Sequence, residues 1–138
     1  MVAAKTQGRI ILVSSMSASI VNRPQPQIAY NASKAAVSHM ARSFAVELAA
    51  HGITCNSLAP GLTLSVYFAD VRYMNTPLVQ AIIAKGGKEY TRYWKDGSPM
   101  GRLGEPEDLR GAVVFMASES SRFMTGAEIV VDGGYTLY

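Results

Sequence analysis

The sequence lacks the patterns that mark nucleic-acid-binding and membrane proteins. Its 13 lysines and arginines are spread along the chain without a basic run, and the net charge is only +3, so no nucleic-acid partner is indicated. No apolar run reaches the roughly 18 residues that a membrane span needs, and residues 1–9 lack the apolar core of a signal peptide. We therefore expect a soluble protein without a nucleic-acid or membrane partner.

Cysteine and metal-ligand spacings are scarce as well. The single cysteine, Cys55, excludes an internal disulfide, and it forms no ligand spacing with the two histidines, His39 and His51. We expect no metal, and a reducing, cytoplasmic location is the default. The chain also has no G-x-G-x-x-G or related glycine-rich turn after a strand, which is the usual seat of a dinucleotide pyrophosphate.

What is present predicts one α/β unit. The chain has 138 residues, of which 49% are hydrophobic and 17% charged, a balance that argues against disorder. The apolar run Ile10–Val13 suits a strand buried on both faces. A helical pattern of small apolar residues over 29–50 follows, and Ile53–Leu58 is a second strand after Gly52. Strand, helix, strand in this order predicts a parallel βαβ unit.

The second half of the chain is predicted to contain a helix, a last strand and a long irregular segment. Pro106 opens another helix with acidic residues near its amino end, and we expect its side from Leu109 to Ala117 to be buried. Residues 127–134 form a last strand and turn. Residues 62–101 between them, including 77–84 as a helical turn or two, are interpreted as a substrate lid or binding loop. An aromatic mini-core packed on the sheet is the alternative.

A phenol and an ammonium stand four residues apart at the start of the first helix. Residues i and i+4 share a helix face, so Tyr30 and Lys34 project side by side. A lysine charge favours the phenolate form of a neighbouring tyrosine, which suits a general acid or base. An accidental pair, with the tyrosine on a core and the lysine in solvent, is the competing interpretation.

Serines crowd the predicted carboxyl end of the first strand. In open α/β sheets, ligands bind outside the carboxyl ends of the strands, so this cluster marks a candidate site. The residues alone do not choose among its members, which are Ser14, Ser15, Ser17 and Ser19.

Four motifs in order then resemble the short-chain dehydrogenase/reductase family: a strand ending in Ser-Ser (10–15), Tyr-x-x-x-Lys (30–34), Asn-x-x-Ala-Pro-Gly (56–61) and Val-Asp-Gly-Gly (131–134). The resemblance covers essentially the whole chain. It implies the carboxyl-terminal part of a Rossmann-like, doubly wound parallel sheet, with 1–138 as a catalytic half whose amino-terminal cofactor-binding half is missing. Local sequence around these motifs is most similar to fungal polyol and ketose reductases of the mannitol, arabinitol and sorbose/xylulose type.

The family resemblance implies a role for each motif residue. Tyr30 is the expected general acid/base, Lys34 assists it and bonds the ribose hydroxyls of the cofactor, and Ser15 holds the substrate oxygen. The interval from Ser15 to Tyr30 is slightly longer than the commonest family spacing, which keeps Ser17 open as the alternative.

The same resemblance places Pro60, Gly61 and Ser65 beside the nicotinamide. A tight strand-to-loop turn explains Pro60 and Gly61 equally well. The implied cofactor is NAD(P)(H), with NADP(H) favoured by the similarity to the polyol reductases.

The implied function is an NAD(P)(H)-dependent oxidoreductase that interconverts a secondary alcohol and a ketone, in particular a polyol and a ketose. We expect this half to be inactive alone, because Val13, Ile53 and Val113 lie on faces that lack a partner. The full-length form is expected to be a homo-oligomer. The alternatives are a non-catalytic interaction module and a truncated product without function.

Overall fold

The computed structural model describes residues 1–62, 87 and 89–137. Within them, three strands form one parallel sheet in the order β1-β2-β3. The strands are β1 (Gly8–Val13), β2 (Ile53–Pro60) and β3 (Glu128–Val131), and the long helices are α1 (Ile28–Leu48) and α2 (Pro106–Ala117). Residues 89–96 are also helical. Short 3-10 turns span Met16–Ala18, Ala49–His51, Glu119–Ser121 and Tyr135–Leu137.

The central strand β2 sets the register of the sheet. Val13 of β1 lies opposite Leu58, and Pro60 lies opposite Val131 of β3. Since all the strands run the same way, their carboxyl ends meet at one edge. The predicted parallel α/β sheet is confirmed, together with its three strands and two long helices.

Helix α1 packs closely on the sheet because its inner face carries small side chains. Ala41 and Ala45 are 0% and 4% exposed and contact Cys55 of β2, which is fully buried. Burial raises the pKa of the Cys55 thiol. The helix ends through a 3-10 turn at Gly52, whose φ of 68° lies in the left-handed region that glycine adopts without strain.

The amino end of α2 is fixed by charge and by a proline. Pro106 occupies the first turn, where its missing N–H costs no hydrogen bond. Asp108 accepts from the backbone N–H of Glu105 over 2.8 Å, and Arg102 clamps the same carboxylate through Nη1 and Nη2 at 2.6 and 2.9 Å. The predicted helix start is confirmed.

The exposure of the apolar faces agrees with one expectation from the sequence and contradicts others. Val13 and Val113, expected to lie on faces without a partner, are 57% and 39% exposed. Strand β1, expected to be buried on both faces, is only half-buried. On α2 the expected buried side is largely exposed at Val113, Val114 and Phe115. Ile53, expected to lie open, is 2% exposed, because β2 is flanked by both other strands. Among the helices that the structure describes, none is long and apolar enough to cross a membrane.

The predicted lid falls largely outside the described residues, as do all of 77–84. Its described part contributes to an aromatic cluster in which Trp94 and, just beyond the segment, Leu103 are buried. The rings of Tyr90 and Trp94 meet edge-on with centroids 5.8 Å apart. Both interpretations of 62–101, as a substrate lid and as an aromatic mini-core packed on the sheet, stay predictions.

Replacing Asn56 by alanine should lower the free energy of unfolding by about 1–3 kcal/mol, because two buried hydrogen bonds would be lost. Its Nδ2 donates to the carbonyl of Met124 over 2.9 Å, and its Oδ1 accepts from the N–H of Ala127 over 3.0 Å. Urea denaturation measures the change.

The matched control for that experiment is Thr54→Val in the same strand. The Thr54 hydroxyl is buried without a hydrogen-bond partner, so its removal should leave stability unchanged or raise it. Equal losses from both substitutions would contradict the assignment of stability to the Asn56 bonds.

Candidate active site

The sequence-predicted site residues gather at the carboxyl edge of the sheet. Ser15 lies two residues beyond the end of β1, and Pro60 is the last residue of β2. Tyr30 and Lys34 lie in the first two turns of α1, which follows β1 in the chain. Ser65 lies outside the described residues.

Lys34 is held at the end of β1. Its Nζ donates to the carbonyl oxygen of Val13 over 2.9 Å and lies 5.7 Å from the centroid of the Tyr30 ring. A charge at this distance from the ring interacts favourably with its π face. The one-turn spacing read from the sequence therefore does bring the ammonium and the phenol ring together, beside the strand end.

Ser14 faces α1. Its Oγ donates to the carbonyl of Lys34 over 3.0 Å and lies 2.6 Å from the Oγ of Ser38. Together with the bond from the Lys34 ammonium to the Val13 carbonyl, this contact joins the start of α1 to the end of β1 through hydrogen bonds in both directions. Ser14 is 2% exposed, so its own two contacts are largely shielded from water, whereas the bond from Lys34 to Val13 is exposed.

Ser15 and Ser17 are both buried, and both hydroxyls accept a hydrogen bond. Ser15 Oγ accepts from the backbone N–H of Ser17 over 3.1 Å, and Ser17 Oγ accepts from Nε2 of Gln27 over 3.1 Å. A hydroxyl that accepts still has its own proton to donate. Either serine can thus donate to a substrate oxygen, and the choice between them stays a prediction.

A chain of side-chain amides connects Ser17 to the aromatic cluster. Trp94 Nε1 donates to the Arg23 carbonyl over 3.0 Å and to Oε1 of Gln25 over 3.2 Å. Gln25 donates to Gln27 over 3.3 Å, and Gln27 donates to Ser17. The connection between β1 and α1 is thereby tied to the helical residues 89–96. The sequence analysis missed this chain, although glutamines between prolines in an apolar context were a signal for it.

Gly61 turns the chain at the end of β2. Its N–H donates to the Val131 carbonyl over 2.9 Å. A Cβ added there would lie 2.5 Å from the Cα of Asp132, so only glycine fits. Tight packing against β3 thus accounts for the glycine, and contact of Pro60 and Gly61 with a nicotinamide stays a prediction.

A surface cavity opens at the same edge beyond β3, next to Leu62, Asp132 and the clamp between Arg102 and Asp108. The bond from Arg102 is the main cause that lowers the Asp108 pKa, to about 2. Asp132 is used within its own turn, since its side chain accepts hydrogen bonds from the N–H groups of Gly134 and Thr136.

In the part of the chain that the structure describes, no group of three His, Cys, Asp or Glu side chains could hold a metal ion.

Comparison with known proteins identifies the family. A family model described as enoyl-(acyl carrier protein) reductase matches residues 1–136. A short-chain type dehydrogenase/reductase from Mycobacterium marinum superposes with a TM-score of 0.79 at 38% identity, over 99% of this chain and 46% of that one. The chain belongs to the short-chain dehydrogenase/reductase family.

Three curated members of the family illustrate its similarity to polyol enzymes. Galactitol 2-dehydrogenase of Rhizobium johnstonii is 45% identical over 96% of this chain and 46% of its own length. NADH-dependent L-xylulose reductase of Ambrosiozyma monospora is 41% identical over 92% and 43%. A probable NADP-dependent mannitol dehydrogenase of Yarrowia lipolytica is 44% identical over 93% and 40%.

These comparisons confirm the identified family, its Rossmann-like fold and the similarity to polyol and ketose enzymes. The chain spans about half the length of the curated relatives it matches. Its three strands account for part of the family's doubly wound sheet.

The ion pair between Arg102 and Asp108 at the amino end of α2 predicts that the stability of the fold depends on pH. Because the folded-state pKa of Asp108 lies near 2, below its ordinary 3.8, this carboxylate stabilises the fold above about pH 4 and loses that contribution as the pH falls toward 2. Carbon-13 NMR titration should give an Asp108 midpoint near 2, and Arg102→Gln should move it up toward 3.8.

Arg110, exposed on the same helix, provides the control for this titration. Arg110→Gln removes an equal charge without touching the clamp, so the midpoint should stay low. If both arginine substitutions moved the midpoint alike, long-range charge would replace the direct bond as the cause.

Proposed function

We propose that this chain supplies the catalytic half of an NAD(P)(H)-dependent oxidoreductase that interconverts a secondary alcohol and a ketone, with a polyol and a ketose as the substrate pair. The observation that carries the proposal is the placement of Lys34 against both Tyr30 and the end of β1. The polyol chemistry named for its relatives gives the substrate class.

Tyr30 is the proton donor and acceptor. In the oxidative direction, its phenolate oxygen takes the proton of the substrate hydroxyl, and in reduction the phenol returns that proton to the carbonyl oxygen. Ser15, or Ser17 as the alternative, donates a hydrogen bond to the substrate oxygen and stabilises the charge that develops there.

The residues at this edge fit a nicotinamide cofactor, whose chemistry when bound is to accept or donate the hydride. The Lys34 ammonium has three donors, and the bond to Val13 uses one of them. The other N–H groups suit the ribose hydroxyls. Tyr30 lies next to them, and Pro60, Gly61 and Ser65 border the nicotinamide by family position.

The cofactor preference proposed here is NADP(H). Relatives of both kinds are matched, one named NADH-dependent and another NADP-dependent. In this family the selecting residues lie in the amino-terminal half, so the preference rests on subfamily similarity. We further propose a homo-oligomer and a cytoplasmic location for the complete enzyme.

We propose that the chain is inactive alone. The exposed apolar side chains of β1 and α2, among them Val13, Val114 and Phe115, suit a partner layer of protein. The same exposure favours a second candidate, a non-catalytic module that associates with full-length subunits. Hydrogen exchange discriminates the two, since a catalytic half alone should protect its amides poorly and a stable binding module should protect them well.

The proposal is tested with a chimera that joins the first half of the Rhizobium johnstonii galactitol 2-dehydrogenase to this chain. The chimera should oxidise polyols with NAD(P), whereas the 138-residue chain should not. Tyr30→Phe should lower kcat by about 10²–10⁴-fold, because the proton acceptor is lost.

Tyr93→Phe is the matched control, since Tyr93 is 46% exposed in the helical residues 89–96. It should leave kcat unchanged. Ser15→Ala and Ser17→Ala, compared in the same chimera, decide which hydroxyl holds the substrate oxygen. Full activity of Tyr30→Phe, or turnover by the lone chain, would refute the mechanism proposed.

A further inference from the structure

A buried polar network connects β3 to the lysine of the site. The Oγ atoms of Ser38 on α1 and Ser57 on β2 both donate to Oε2 of Glu128, the latter over 2.8 Å. Ser38 in turn lies 2.6 Å from Ser14, which donates to the Lys34 carbonyl. One carboxylate oxygen at the start of β3 therefore joins β2, α1 and, through Ser14, the end of β1.

The direction of these hydrogen bonds follows from counting protons. Each hydroxyl has one proton to donate. Ser38 and Ser57 give theirs to Glu128, so Ser14 must be the donor in its contact with Ser38. The single proton of Ser14 is then shared between Ser38 Oγ and the Lys34 carbonyl. The hydrogen bond from Ser14 to the Lys34 carbonyl thus depends on how Glu128 holds Ser38.

The burial of the serines makes the loss of a hydrogen bond in this network costly. Ser14 and Ser57 are 2% and 1% exposed, whereas Ser38 and Glu128 are half-buried. At the two buried serines little water is available to replace a lost partner, and a partly satisfied network costs more than an apolar contact. Glu128, a charged residue in the otherwise apolar strand β3, therefore has a specific use.

We propose that Glu128 is a positioning residue, which fixes α1 through Ser38 and Ser14 so that Lys34 stays at the end of β1. This inference rests on the proposed function for the role of Lys34, and on the network alone for its position. Glu128 touches neither Tyr30 nor the Lys34 ammonium in any recorded bond, so it acts only through the two serines.

The test compares two replacements of similar size. The side-chain amide introduced by Glu128→Gln can donate to or accept from both serines, whereas Glu128→Met fills the space without hydrogen bonds. In the chimera described above, the nuclear Overhauser contact between the Lys34 ε-methylene and the Val13 Hα should survive in Glu128→Gln and be lost in Glu128→Met.

Activity in the chimera gives the second readout. Glu128→Met should lower kcat/KM for the cofactor by about ten- to hundredfold, as misplacement of a site group by a fraction of an ångström does, and Glu128→Gln should restore it. Glu47→Ala, on the exposed side of α1, should change neither readout.

Ser38→Ala keeps the test decisive if Glu128→Met fails to fold, since alanine favours a helix. It cuts the same path from the helix side, so it should remove the Lys34 contact, and its effect should not add to that of Glu128→Met.

The proposal is overturned if the Lys34 contact survives Ser38→Ala, if methionine serves as well as glutamine, or if the unsubstituted chimera shows no such contact. An inactive unsubstituted chimera, combined with a Lys34 contact that responds to these substitutions, would instead refute the proposed function and leave the positioning role intact.

Discussion

The pairing of β2 on both of its edges is the constraint on which the structure depends. With β1 on one side and β3 on the other, its residues from Cys55 to Ala59 are all buried. Parallel pairing also puts the ends of all three strands at one edge. Residues far apart in sequence, such as Ser15 and Asp132, thereby lie at the same edge of the sheet, and α1 places Lys34 beside the end of β1.

The interior of the protein next to that edge of the sheet is more polar than a typical core. Ser14, Asn56 and Ser57 are nearly inaccessible to water, and each has hydrogen-bond partners on another element. Directional bonds of this kind fix the position of a helix more sharply than apolar packing does, because they weaken steeply with misalignment. The proton transfer proposed for Tyr30 would need that sharpness, whereas stability alone would not require it.

The exposed apolar residues and the length of the chain both support the proposal that this chain needs a further layer of protein. The relatives are about twice as long. Exposed apolar residues lie on β1 and α2, such as Val13 and Val114, and also on α1, where Ile28 and Val46 are 88% and 80% exposed. The residues proposed for catalysis lie on the described side of the sheet, and the glycine-rich turn for the pyrophosphate is absent from the sequence. The proposed function therefore needs a pyrophosphate site from outside this chain, whereas the contacts proposed for the ribose and the nicotinamide lie within it.

The sequence alone determined the order of the elements, because helical spacing, apolar runs and the Pro106 and Gly52 signals act over a few neighbouring residues. It also placed Tyr30 one turn from Lys34 and identified the family from four ordered motifs. Burial was different, because it depends on which strand lies in the centre. From the apolar runs, β1 and one side of α2 were expected to be buried, while Val13, Ile53 and Val113 were expected to lack a partner. Of these three residues, only Ile53 is buried. The bonds from Glu128 to Ser38 and Ser57 were likewise decided only by the tertiary structure, since 90 and 71 residues separate the partners and only the parallel register and the packing of α1 bring them together.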